Sequence, residues 1–246
     1  MRGLSIKLKL PLLIGGLVVV VTGVYAYSDY RAASRAAVKV ATDQLGTVTD
    51  QFAEMLHTSR NQLVAHLDSI ARQPVLAAYL DHPAPARQAA ALHALTPSPE
   101  RTPTLAGVAL WSADRRRLLS QGEAPRRGLA ADTSLLNAAG IADTAVIGPF
   151  HPVGDSLAIP VVARVGTRAS VRGYVVEWWW MGGSASSSQR LNKIAGPNAH
   201  IYVGNRASDV WTDLARRVPG PPVPVAPAPG VLEYTRTDVG GTYAVA

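Results

Sequence analysis

Residues 145–181 read AVIGPFHPVGDSLAIPVVARVGTRASVRGYVVEWWWM, and their punctuation decides the architecture. Of three β-rich runs, Ala145–Phe150 leads through Val153-Gly154-Asp155 to Leu157–Val165, and a Gly166–Ser170 turn leads into Val171–Met181. Links this short join antiparallel neighbours, because a parallel crossover needs a dozen or more residues. In the last run a period of two sends Tyr174, Val176, Trp178 and Trp180 to one face, and Glu177 and Trp179 to the other.

Downstream, a glycine- and serine-rich break (Gly182–Ser188) precedes a short helix, Gln189–Ala195. His200–Gly204 reads as a strand, Asn205–Ser208 as a turn, and Val210–Leu214 as a further strand. Val218–Gly230 holds six prolines in thirteen residues, which makes a stiff extended loop. Val231–Thr237, Asp238–Gly241 and Thr242–Ala246 form strand, turn and strand. The returning arm has five residues where a strand usually has more. Two readings fit: a fragment, or a once longer protein that has lost its end.

Upstream, Leu105–Trp111 is a strand, Ala113-Asp114 a turn, and Arg117–Ser120 the hairpin partner. Asp132 suits the N-cap of a helix reaching Ala139, with Gly140 as its stop. His82–Pro103 is a connector with prolines at both ends, enclosing a helix over Ala84–Leu95. Before it, residues 28–73 form one long helix. Val38, Ala41, Leu45, Val48, Phe52 and Met55, then Leu63, Leu67 and Ile70, recur at steps of three and four. Ser59 interrupts the stripe, which suits packing on its own domain or pairing with a second copy in a coiled coil. Pro74 kinks or restarts the helix, which then runs to Leu80.

The chain opens on an uncharged apolar run, LPLLIGGLVVVVTGVYAY (Leu10–Tyr27). Eighteen residues at 1.5 Å each make roughly 27 Å of helix, enough to cross a bilayer core with help from flanking residues. A cleaved signal is the competing reading, with Val24-Tyr25-Ala26 as a poor cleavage site. Arg2, Lys7 and Lys9 before the run are matched by Arg31, Arg35 and Lys39 after it, so the charge rule for orientation is tied. A short basic tail before an apolar core is the usual order of an uncleaved anchor. The expected plan is a cytoplasmic tail (1–9), a transmembrane helix (10–27), a membrane-proximal helix (28–80), a connector (81–104) and an extracytoplasmic α+β domain (105–246).

A net charge of +7 comes from scattered residues, with Arg115-Arg116-Arg117 and Arg126-Arg127 as the clusters. No reading motif accompanies them, so nucleic acid is not an expected partner, and a solvated turn or lipid headgroups are. The sequence has no cysteine, hence no disulfides and no thiol nucleophile.

In organisation the whole chain resembles the Cache-type extracytoplasmic sensor regions of bacterial membrane-bound histidine kinases and chemoreceptors, whose sheets are PAS-like. The stretches that carry the resemblance are LAGVALWSADRRRLLS (105–120), IGPFHPVGDSLAIPVVARVGTRASVRGYVVEWW (147–179) and HIYVGNRASDVWTDL (200–214). It implies a bacterial inner-membrane protein with a periplasmic domain. It also implies a second membrane helix, a linker and a kinase, and these 246 residues contain none of them.

No HExxH, GxSxG or phosphate-loop motif occurs, so no enzyme activity is expected. The six histidines do not fall at metal spacing, and the apolar run has none to ligate a haem or a chlorophyll; no metal or cofactor is expected. The resemblance puts a ligand on the concave face of the sheet. There Trp111, Arg164 and Tyr174 can hold a small carboxylate. The plainer reading makes Trp111 and Tyr174 core and Arg164 solvated. Trp178-Trp179-Trp180 is either a contact with a partner or the membrane interface, or part of a strand buried on both faces. Two functions follow. One is a non-catalytic ligand-sensing input module. The other is a structural accessory subunit of a larger membrane assembly, such as an energy-transducing one. Expected partners are the bilayer, other membrane subunits or a second copy, and the small carboxylate.

Overall fold

Apolar periodicity builds the helices, and proline decides where they restart. The computed structural model describes residues 6–96, 105–122, 133–154, 156–181, 202–205, 210–213, 216–221, 230–235 and 240–245. Helix α1 (Ile6–Ala71) runs unbroken for 66 residues through both the apolar run and the amphipathic stripe. Every residue from Leu13 to Val40 is exposed, including Val19 at 71%. Helices α2 (Pro74–Asp81) and α3 (Pro85–Leu95) each begin on a proline. In the first turn the missing N–H has no helical partner to lose, and the fixed φ already suits a helix.

Contacts divide the chain into two units, Met1–Gln51 with Ala226–Ala246, and Phe52–Val225. The first holds the start of α1 and an antiparallel hairpin, β10 (Gly230–Thr235) with β11 (Gly240–Val245).

The second holds a six-stranded antiparallel sheet. Its strands are β1 (Leu105–Ser112), β2 (Arg117–Gly122), β3 (Val146–Ile147), β4 (His151–Val153), β5 (Ser156–Thr167) and β6 (Ser170–Met181). They pair in the order β2-β1-β6-β5-β3, with β4 also on β5. A three-stranded sheet of β7 (Val203–Gly204), β8 (Trp211–Thr212) and β9 (Arg217–Val218) completes the unit. The class is α+β, with an antiparallel sheet behind a long N-terminal helix, as the strand spacing and the resemblance imply.

Both faces of the six-stranded sheet are covered. On one, Leu67 and Ile70 of α1, Leu76 and Tyr79 of α2, and Ala91 and Leu95 of α3 pack on Val108, Leu110, Val161, Ala163, Val175 and Trp179. On the other, helix α4 (Thr133–Ile141) sets Leu135, Leu136 and Ala139 against Ala158, Val162, Tyr174, Val176 and Trp178. The alternation read along β6 therefore separates two cores rather than a core from solvent. Double coverage explains why Trp178 (2% exposed) and Trp179 (7%) are both buried, leaving Trp180 half-buried where β6 nears its end.

Three local expectations change. Gly140 lies inside α4, not after it, and the helix ends at Ile141 with the Ala142 N–H on the Ala138 carbonyl. Its role is close approach, since a Cβ there would stand 3.2 Å from the Tyr174 hydroxyl. Of the run 145–150 only Val146–Ile147 is strand (β3); pairing stops before Pro149, which has no N–H for the ladder, and resumes beyond the run as β4 (His151–Val153). The hairpin between β5 and β6 is tighter than the Gly166–Ser170 turn, pairing Thr167 with Ser170 across a bulge at Val165/Gly166. The Asp132 cap, the Gln189–Ala195 helix with the break before it, most of the Asn205–Ser208 turn and most of the proline-rich loop lie outside the described residues.

Candidate functional site

Antiparallel register makes neighbours of the three residues singled out for ligand binding. Trp111 on β1 stands opposite Tyr174 on β6, and Tyr174 stands opposite Arg164 on β5. All three face α4. Arg164 Nη1 donates to the Gly140 carbonyl at 2.7 Å, and the Tyr174 hydroxyl approaches Gly140. The turn after β1 also reaches this helix, with Arg115 Nη2 donating to Asn137 Oδ1 at 2.6 Å. Arg115 itself has φ 63°, a conformation uncommon for a non-glycine residue.

Among the described residues, Trp111 Nε1 and Arg164 Nε are buried donors without a protein partner. A buried polar group left unpaired costs about 1–3 kcal/mol. Tyr174 belongs to the core on this face and Trp111 packs against that core, while Arg164 is half-buried rather than solvated. The row is an aromatic shelf with donor capacity to spare.

The opposite face carries a group that the alternation located but gave no role. Glu177 is 1% exposed, and its Oε2 accepts from Trp179 Nε1 at 3.0 Å. Its Oε1 lies 3.7 Å from His66 Nε2 on α1. A carboxylate this deep requires such partners, and they join the long helix to the central strand. The sequence signal was present: a lone acid in an apolar strand, with an indole two residues on. His151, which the sequence also left without a role, sets its ring edge-on to Trp178 at 5.4 Å, with Nε2 buried and unpartnered.

A cleft of about 590 Å³ opens at the β5–β6 hairpin end of the sheet. Arg164 lines it together with Arg72, Arg168 and Arg172, and with Asp68 and Asp143. Sequence reading missed three of these arginines, because Arg72, after α1, meets Arg168 and Arg172 of the β5–β6 hairpin only in the fold. No group of three or more metal-ligating side chains comes together among the described residues.

No protein-family model matches the sequence, and no curated protein matches it. Solved structures do. The ligand-binding domain of the Campylobacter jejuni chemoreceptor Tlp3, in complex with L-valine, is 16% identical; the match covers 76% of this chain and 73% of that one, with a TM-score of 0.48. The ligand-binding domain of the Pseudomonas fluorescens chemoreceptor CtaA, in complex with L-isoleucine, is 14% identical, over 65% and 62%, with a TM-score of 0.43. The Vibrio cholerae LuxQ periplasmic domain is 15% identical, over 63% and 68%, with a TM-score of 0.37. Two of these are chemoreceptor ligand-binding domains and the third is a periplasmic domain.

Proposed function

We propose that this chain is the membrane-tethered, extracytoplasmic input module of a ligand-sensing system. It is non-catalytic and takes a small carboxylate on the row Trp111, Tyr174 and Arg164. The observation that carries the reading is the pair of buried, unpartnered donors in that row, Trp111 Nε1 and Arg164 Nε. A carboxylate offers the acceptors they lack, and a guanidinium binds it with two parallel hydrogen bonds. Occupancy would act on α4, because Arg164 and Tyr174 both meet Gly140. A ligand that favours one position of that helix shifts the population towards it. The exposed apolar stretch from Leu13 supports a bilayer-spanning segment. Because the flanking charges are tied, the cytoplasmic side is assigned to the short tail only from the usual order of a basic tail before an apolar anchor. The accessory-subunit alternative drew in part on the tryptophans as a docking surface, and of those three the burial of Trp178 and Trp179 leaves Trp180 for that role.

The test is a melting assay on the full chain in detergent, with a panel of free amino acids and short carboxylic acids. A ligand at a hundred times its Kd adds about 2.7 kcal/mol and visibly raises Tm. We expect at least one carboxylate to do so, and Arg164→Ala to abolish the shift. A panel without effect on the parent chain sinks the reading.

A further inference from the structure

The cleft at the hairpin end is distinct from the shelf under α4 and shares only Arg164 with it. Its charge is out of balance. Arg172 is bound by Asp81, Nη1 to Oδ2 at 2.6 Å, whereas no salt bridge among the described residues involves Arg72, Arg164 or Arg168. Of the wall's two carboxylates, Asp68 is already engaged, its Oδ1 accepting from the Ala145 N–H at 2.8 Å. With Arg172 and Asp81 set aside as a pair, Arg72, Arg164 and Arg168 still outnumber Asp68 and Asp143 by one charge.

The arginines converge because of the local backbone. Gly166 pairs with Val171 while Val165 pairs with Gly173, so Arg172 is the extra residue of a bulge, a device that re-aims a side chain. Arg168 sits at the tip of the same hairpin, and Arg72 follows the last turn of α1. The Thr167 hydroxyl accepts from the Ser170 N–H at 3.2 Å, which leaves its own hydrogen to donate. Arg72 and Arg168 are exposed on the cleft wall, beside the half-buried Arg164 whose Nε belongs to the shelf, so Arg72 and Arg168 carry the donors proper to the cleft.

We infer that this cleft binds a phosphoryl group, carried by a small organic phosphate. One carboxylate satisfies one guanidinium. A phosphoryl group, with a charge of about −1.5 to −2 at neutral pH and three outer oxygens, answers several at once. A volume of about 590 Å³ exceeds the needs of inorganic phosphate alone and suits a small molecule around it.

The experiment is calorimetric titration of the full chain in detergent with glycerol 3-phosphate, inorganic phosphate and succinate, at ionic strength matched with potassium chloride. We expect glycerol 3-phosphate to bind at least tenfold more tightly than succinate, with inorganic phosphate between them. The double variant Arg72→Ala/Arg168→Ala, at two exposed positions, should weaken it tenfold or more. Trp111→Phe, on the shelf alone, should leave it unchanged. Succinate binding as tightly as the phosphates, or a double variant equal to the parent, overturns the inference while leaving the carboxylate shelf intact. Loss of phosphate binding in Trp111→Phe, with the double variant unaffected, also overturns it by returning the anion to the shelf.

Discussion

Trp179 shows how one side chain holds two roles. Its rings fill the core beneath α1 and α2, and its indole N–H satisfies the buried Glu177 carboxylate. Trp179→Ala therefore opens a cavity and leaves an acid short of a donor. We expect a loss of about 3–5 kcal/mol, read as a large drop in melting temperature of the full chain. Trp180→Ala, at a half-buried position, should cost clearly less. Equal losses at the two positions would mean that burial does not separate them. Pro160 makes a complementary point about position. It lies inside the long strand β5, where a missing N–H is tolerable only if the outer neighbour is interrupted. That neighbour changes from β3 to β4 at this level, and the Pro160 carbonyl still accepts from Gly148 at 2.8 Å.

At the scale of elements, α1 does more than pack. Asp68 on its last turns accepts from the Ala145 N–H, which anchors the start of the strand meander to the helix. Asp68→Ala strands that N–H beside a buried alanine and should cost about 1–3 kcal/mol by denaturant melting. Asp68→Asn keeps an acceptor oxygen and should recover most of the loss. If the asparagine variant is as unstable as the alanine one, charge rather than the hydrogen bond matters there. The apolar start of α1 has its own test. Val19→Arg should cost about 2.5–3.5 kcal/mol for insertion, so membrane fractionation should show the variant partly released. A variant as membrane-bound as the parent would count against a lone spanning helix.

At the scale of the folded unit, one sheet divides two cores. α1, α2 and α3 pack on one face and α4 on the other, so perturbations on the two sides have few shared partners. Ile70→Val should cost about 0.5–1.5 kcal/mol and Leu136→Ala about 2–5 kcal/mol. The double variant should match their sum within about 0.5 kcal/mol, because distant sites with no common contacts add. A larger discrepancy in the measured melts would reveal coupling through β5 and β6. Such coupling is what a ligand shelf under α4 would need to influence α1 on the far side.

Sequence alone determined the ingredients governed by local rules. The 3.6-residue stripe, the proline restarts at Pro74 and Pro85, the alternation along β6 and the short links all follow from steric and periodic constraints between near neighbours. Those constraints placed Arg164 and Tyr174 on neighbouring antiparallel strands; that the Trp111 strand pairs with the Tyr174 strand was decided by the fold. Tertiary structure decided what no local rule contains. A period of two cannot tell a strand with one wet face from a strand covered on both, so the burial of Trp178 and Trp179 depended on where α4 and α1 came to rest. Gly140 looks like a helix stop until the Tyr174 hydroxyl is seen beside it. Arg72, Arg168 and Arg172 carry no shared pattern along the chain, and only the bulge and the end of α1 bring their charges to one cleft. Charge acts through space, and the sequence sets the space only after it has folded.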